Sequence, residues 1–362
     1  MQLMSASGIA NGVAPLLGLL ALLLLYGLGQ PLGPVILLPV IFASVLAAVH
    51  HAEVIAHRIG EPFGTLVFAV AVTVIEVGLI LSVMSANPAE NAALARDTVM
   101  AAIMIILNGV VGLCLLLGGL RHGEQVYRQS GVSATLATLA ALSVITLILP
   151  NHVTTLPGPQ YAPSQLAFVG LVSLILYGMF VLVQTVRHRD YFLPRQELAT
   201  DNDDVHAELP SDRATMASAA LLGASLVSVV FLAKSLTPNL EKLLEQMNAP
   251  LALVGVVIAG IVLLPEGLAA VRAARANRLQ TSLNLALGSA LATIGLTIPV
   301  LAAIVVLSGW TLVLGVSSKN EILLGLTLLV ATLSLSTGRT TIMQGALHLV
   351  LFAIFLFLII VP

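Results

Sequence analysis

The chain alternates long apolar runs with short polar breaks. Cutting at charged, polar and Pro/Gly-rich breaks leaves eleven runs, at residues 13–29, 34–50, 63–85, 98–120, 132–149, 166–186, 215–236, 250–271, 281–307, 320–336 and 340–361. Most approach the roughly 20 apolar residues that a helix needs to cross a hydrocarbon core. Helix is the expected form, because lipid offers backbone groups no hydrogen-bond partner. The pattern predicts an all-α polytopic membrane protein with about eleven transmembrane helices. The first two runs are separated only by an uncharged turn at residues 29–34, so a single broken hairpin is the alternative there.

Composition narrows the class. Of 362 residues 58% are hydrophobic and 9% charged, and the mean hydropathy is +1.05. That charge is too sparse to cover a water-exposed surface of this size, which excludes a soluble enzyme, a disordered chain and a nucleic-acid binder. The single cysteine, Cys114, excludes internal disulfides and thiolate metal clusters. No Lys or Arg precedes Arg58, so no basic signal-peptide region is expected.

The basic residues orient the spans. Eleven of the 15 Lys and Arg fall in loops after even-numbered runs, and only Arg96, Lys234, Lys242 and Lys319 lie on the other side. The positive-inside rule therefore predicts a cytoplasmic N-terminus and an external C-terminus. The longest hydrophilic segment, 188–213, holds seven of the 17 acids. It reads as a solvated cytoplasmic linker or, alternatively, as a segment that gathers cations; Asp201-Asn202-Asp203-Asp204 lacks the spacing of a calcium loop. The expected organisation is an N-terminal helix (1–33), a first transmembrane half (34–187), the acidic linker (188–213) and a second half (214–362).

An internal repeat relates the halves. Run 3 has Pro62, a small apolar stretch and then Glu76-Val77-Gly78. Run 8 has Pro250, a similar stretch and then Glu266-Gly267. The Pro-to-Glu distances are 14 and 16 residues. Each copy is followed by a helix with small and polar residues inside it, Asn108-Gly109 in one and Gly288-Ser289 in the other. The runs are five apart, so the copies enter the membrane from opposite sides. Such inverted repeats build secondary transporters, with the site at the midplane between copies.

Glu76 and Glu266 carry the expected chemistry. A charge at mid-helix costs about 2.5–3.5 kcal/mol on insertion scales and marks an ion path. Two carboxylates are neutral with one divalent cation or with two protons. Empty and ionised, they are costly to move through a low dielectric. That asymmetry alone gives exchange. All-oxygen ligation favours hard cations such as calcium. Thr73, Asn108, Ser289 and Thr293 are candidates to complete the oxygen shell. The competing reading for the hydroxyls is a bond back to their own helix. An amide such as Asn108 in hydrocarbon needs partners. Pro265 and Pro299 are expected to free carbonyls nearby.

Weaker signals remain. His50, His51 and His57 with Glu53 crowd the end of run 2, either as a sensor of cytoplasmic pH or as hydrated interfacial groups. Arg272, Arg275 and Arg278 read as an interfacial anchor. His348 reads as a hydrogen-bonded packing residue, and Ser334–Thr341 as a tight polar turn.

The sequence also resembles the calcium/cation antiporter superfamily (sodium/calcium exchanger-like), and within it the bacterial ChaA-type calcium/proton antiporters. The likeness is carried by Gly60-Glu-Pro-Phe-Gly64 leading to Ile75-Glu76-Val77, by Arg96-Asp97-Thr98 and by Leu264-Pro-Glu-Gly-Leu268. It continues in Asn284 to Thr293 and in Ser336-Thr-Gly-Arg-Thr340, and covers the chain from about residue 35 onward. The resemblance implies two inverted five-helix halves preceded by one extra helix. It implies that Glu76 and Glu266 bind the cation and exchange it for protons. Gly288-Ser289 matches a Gly-Ser pair of the wider family, and Asn108 takes the Ser place in the first copy. Many members carry an amide shortly before each acid, whereas here the stretches are Val72-Thr-Val-Ile-Glu76 and Val262-Leu-Leu-Pro-Glu266. That departure resembles the ChaA-type branch, which is associated with sodium and potassium as well as calcium.

The expected protein is a bacterial inner-membrane antiporter that exports calcium, with sodium and potassium as further cargo, in exchange for protons. A monovalent sodium-potassium/proton antiporter and a passive cation channel are the alternatives. The expected partners are the transported cations, protons and the lipid bilayer, with no nucleic acid and no cofactor. The chain has no Gly-x-x-x-x-Gly-Lys-Ser/Thr motif for ATP. Nor has it a His-Glu-x-x-His motif, and its two interior acids are isolated, so an enzyme is not expected.

Overall fold

The computed structural model describes residues 6–29, 32–60, 63–85, 87–193, 210–246, 250 and 252–361. In chain order its helices are α1 (Ala6–Leu22), α2 (Pro34–Ile59), α3 (Phe63–Met84), α4 (Leu94–Met104), α5 (Val111–His122), α6 (Gln129–Ser143), α7 (Pro163–Leu182), α8 (Asp212–Gln246), α9 (Ala252–Arg275), α10 (Leu279–Ala292), α11 (Ile298–Ser308), α12 (Ser318–Ser334) and α13 (Ile342–Ile360). Of five described π-helical turns, two join helices into longer rods: the first of these, Ile105–Val110, joins α4 to α5, and the second, Thr293–Thr297, joins α10 to α11, while Leu23–Gly27, Val144–Ile148 and Val183–Arg187 extend the ends of α1, α6 and α7. The results are two continuous rods, Leu94–His122 and Leu279–Ser308.

Among the described residues, eight helices are long and apolar enough to cross a membrane. The run expected at 63–85 falls on α3, with 22 residues, and the run at 13–29 on α1 and the π-helical turn that extends it to Gly27. The run at 320–336 falls on α12, with 17 residues. The chain divides into two compact units, Met1–Asn91 with Val205–Leu251 and Ala92–Asp204 with Ala252–Pro362. Each unit draws helices from both sides of the acidic segment. Most of that segment, residues 194–209, lies outside the described residues.

The first unit contains α1, α2, α3 and α8. Helix α2 starts with Pro34, whose fixed φ suits a first helical position. It stops at Gly60, where φ is 74°. Its buried residues Leu37, Ile41, Ser44, Val45, Ala48, His51 and Ala52 recur at helical spacing and face α8 and its neighbours. Small residues let these helices close up: a Cβ added at Gly18 would lie 2.6 Å from Ser228 Oγ and 2.9 Å from Ser44 Oγ. Helix α2 runs beyond the expected residue 50, so the histidine cluster sits within its last turns. There His51 is buried, with Nδ1 3.2 Å from Ser218 Oγ on α8.

Arg58 and Asp212 pair at 2.5 Å, with side chains 38% and 81% exposed. Exposed pairs of this kind contribute about 0–1 kcal/mol. Arg58→Ala is expected to change unfolding stability in detergent by less than about 1 kcal/mol. A larger loss would show that the pair does more than decorate the surface.

The second unit contains α4–α7 and α9–α13, with α9 packed against α4, α5 and α10. Helices α5 and α13 meet through glycines. A Cβ on Gly112 would lie 3.1 Å from Leu349 N, and one on Gly345 would collide with Leu116 N. A two-stranded antiparallel ribbon, β1 (Gln125–Val126) with β2 (Arg339–Thr340), ties the end of α5 to the turn before α13. The polar Ser334–Thr341 stretch thus forms a turn that also pairs as a strand. Thr341 then starts α13, its N–H bonded to Gln344 Oε1 at 2.8 Å.

Near both ends of α6, hydrogen bonds tie helices and turns to the connecting segments. At one end Val316 N–H donates to Leu147 O at 2.9 Å, and Asn151 Nδ2 donates to Val316 O and Glu321 Oε1, each at 2.7 Å. At the other, Gln280 Oε1 accepts from Arg128 N–H at 2.6 Å, and Asn284 Nδ2 donates to Phe192 O at 2.6 Å. Pro265 lies inside α9, which continues through it. A spanning helix tolerates a proline when neighbouring groups take over the freed carbonyl. Pro299 is the second residue of α11, just after the second π turn.

Candidate functional site

Of the described Asp and Glu residues, Glu76 and Glu266 alone are buried, at 2% and 7% exposure. Glu76 lies in α3, within the first unit. Between Ala69 and Met84 most of its side chains are buried, while Val70 and Val74 are exposed. Thr73 is also buried, one turn before Glu76. Its hydroxyl donates to Ala69 O at 2.8 Å, as the local reading expected. The bond uses the hydroxyl proton and leaves oxygen lone pairs available. Two residues after Glu76, a Cβ on Gly78 would lie 2.5 Å from Val230 Cγ2, so α3 and α8 touch closely there.

Glu266 lies in α9, within the second unit. Pro265 just before it has no N–H, which takes the intrahelical donor from the Ile261 carbonyl. Gly267 just after it packs on the first π turn, its notional Cβ 3.2 Å from Val110 Cγ2. Asn108 is fully buried in that same turn. A π turn inserts one extra residue per turn and re-aims the side chains beside it, which is why such turns recur at functional sites.

The second rod repeats the device. Thr293 is buried at the start of its π turn, and Ser289, half-buried, lies one helical turn earlier. A Cβ on Gly288 would meet nothing within 4 Å, so this glycine leaves open space beside Ser289. Glu266, Asn108, Ser289 and Thr293 therefore sit on α9 and on the two rods, and these elements pack on one another within the second unit. Glu76 and Thr73 share one face of α3 in the first unit.

The amide of Asn108 is held on both sides. Its Nδ2 donates to Thr327 Oγ1 at 2.8 Å and lies 3.6 Å from Met104 Sδ. Its Oδ1 accepts from His348 Nδ1 at 3.0 Å. His348 is fully buried, with Nε2 2.9 Å from Ser334 Oγ. His348 is thus the hydrogen-bonded interior residue that the sequence suggested. Thr327 and Ser334 were not among the candidates. The signal for them was the requirement that a buried amide find partners, which names no partner.

The model of the sodium/calcium exchanger protein family matches residues 31–186 and 217–361. This chain belongs to that family. The two matched stretches of this exchanger-family chain flank the acidic segment. The protein y4hA of Sinorhizobium fredii is 51% identical over 319 residues, spanning 88% of this chain and 86% of that one. The sodium-potassium/proton antiporter ChaA of Escherichia coli is 37% identical over 342 residues, spanning 93% and 92%. Among solved structures, native YfkE matches with a TM-score of 0.72 at 16% identity, covering 98% of this chain and 99% of that one. At that identity the likeness speaks for the fold.

Proposed function

We infer that this membrane protein is a secondary antiporter that moves inorganic cations against protons by alternating access. The observation that carries the reading is the burial of Glu76 and Glu266, alone among the described acids, in helices of a sodium/calcium exchanger family chain. A buried carboxylate is tolerable when protonated or when neutralised by a cation, and costly when ionised and empty. Each glutamate thus exchanges one neutral state for the other. Two carboxylates match the charge of one divalent cation, two monovalent cations or two protons. Thr73, Asn108, Ser289 and Thr293 contribute the remaining oxygens. Asn108 and Thr293 each lie in a π turn, one in each of the two rods. The reading keeps eleven spans, with the N-terminus cytoplasmic and the C-terminus external in the inner membrane.

Calcium export is the first reading of the cargo, because the proposed ligands are all oxygens. A solved neighbour with TM-score 0.71 and 15% identity is named a Ca2+/H+ antiporter. A second reading, sodium and potassium as the principal cargo, is favoured by the name of the 37%-identical relative. Everted membrane vesicles with an imposed pH gradient separate the two. Calcium, sodium and potassium are added in turn, and the gradient is followed with a pH-sensitive dye. Collapse by calcium at lower concentration than by sodium or potassium is expected. Collapse by the monovalent ions alone would assign the cargo to the second reading. No collapse by any of them would end the antiport reading.

A further inference from the structure

We propose that His348 is a positioning residue for the cation site, acting through Asn108. This rests on the reading of Asn108 as a cation ligand, and it adds a residue from α13 to the machinery. The geometry is directional. An amide oxygen only accepts, so His348 Nδ1 carries the proton in its 3.0 Å contact with Asn108 Oδ1. With Nδ1 protonated, the neutral ring leaves Nε2 as an acceptor for the Ser334 hydroxyl at 2.9 Å. Ser334 sits near the end of α12 and fixes the ring from behind. Thr327, two turns earlier on α12, accepts from Asn108 Nδ2 at 2.8 Å.

The amide is therefore clamped between α12 and α13. A carbonyl oxygen has two lone pairs, and the His348 bond uses one. The second stays available for a cation in a direction set by that bond. Asn108 sits in a π turn, and the clamp fixes the direction of its side chain there. Partners that orient a ligand from behind typically contribute 10–100-fold in metal affinity. The close approach of α5 and α13 at Gly112 keeps the contact short, since a Cβ there would lie 2.9 Å from His348 Cβ.

The test uses the full chain reconstituted in proteoliposomes with an imposed pH gradient, and calcium or, separately, sodium as the probe cation. Three variants separate positioning from simple packing. In His348→Asn the side-chain nitrogen stands near the place of Nδ1, so the donor to Asn108 is restored. In His348→Gln the nitrogen stands near Nε2, so contact with Ser334 is kept and the donor is lost. His348→Leu loses both. The expected result is an apparent KM near wild type for His348→Asn and about tenfold higher for the other two. Maximal rates are expected within about threefold throughout, and Asn108→Ala combined with His348→Leu should add nothing to Asn108→Ala alone.

Equal KM values in all three His348 variants, beside a raised KM in Asn108→Ala, would overturn the positioning role and leave Asn108 as a ligand. An unchanged KM in Asn108→Ala would overturn both the ligand reading and the proposal. If His348→Leu fails to fold, the Asn and Gln variants still decide between donor and packing. Thermal unfolding in detergent reports that separately.

Discussion

Glu76→Gln is expected to abolish cation-driven collapse of a pH gradient in everted vesicles, and Glu266→Gln to do the same. Glutamine keeps the size of the side chain and part of its hydrogen bonding, but it neither binds a proton nor neutralises a cation. Glu76 is 2% exposed and Glu266 7%, so water cannot stand in for the lost charge. A fall of at least about 100-fold is expected, since losing some 3 kcal/mol of cation stabilisation corresponds to about two decades in rate. Folding should survive. Insertion scales assign a buried charge a cost of about 2.5–3.5 kcal/mol, and the neutral amide relieves part of it. Unfolding temperatures in detergent should therefore equal or exceed wild type. Exchange within a few fold of wild type in both variants, at equal expression, would remove the glutamates from the mechanism.

The second large effect concerns stability. Gly345→Ala should destabilise the protein by about 1–3 kcal/mol. An added Cβ at Gly345 meets Leu116 N, Leu116 Cα and Gly112 O, all backbone atoms that no rotamer change can move aside. Helices α5 and α13 must then separate, and the contact between Asn108 and His348 must stretch with them. Gly325→Ala is the matched control, because a Cβ there meets nothing within 4 Å on the exposed side of α12. That change should be neutral or stabilising by up to about 1 kcal/mol, from helix propensity alone. Unfolding curves in the same detergent compare the two. Equal stabilities would show that the α5–α13 contact is looser than its glycines indicate.

Much of this was readable from the chain itself. Apolar runs separated by polar breaks placed the helices, because spanning length and backbone hydrogen bonding leave few alternatives in lipid. The two acids stood out because a mid-span charge is costly. Helix ends were harder to read. Helix α2 continues to Ile59, through His50, His51 and His57. Helix α8 continues to Gln246, past Lys234 and Lys242. Polarity marks where lipid ends, and a helix can continue beyond that point. The π turns were not legible, because the spacing of apolar residues around Asn108 and Thr293 hardly differs from an α-helical one. The partners of Asn108 lie 219 and 240 residues away in sequence, at Thr327 and His348, and only packing brings them together.

The reading of Asn108 changes accordingly. From sequence it was a lone amide that needed partners. In the fold it is a clamped amide with one lone pair of its oxygen used. The hydroxyl of Thr73 changes less: it bonds Ala69 O, as a helical threonine usually does, and keeps its acceptor capacity.

The central claim is coupled exchange, and proteoliposomes that report both fluxes at once test it most directly. Purified protein is reconstituted with an internal pH dye and an external cation-selective electrode, with the membrane potential held near zero by a permeant anion. The account predicts that each cation taken up is matched by protons released in a fixed ratio, and that removing either gradient and its ion stops both fluxes. Cation entry that continues at full rate without proton counterflow would contradict it.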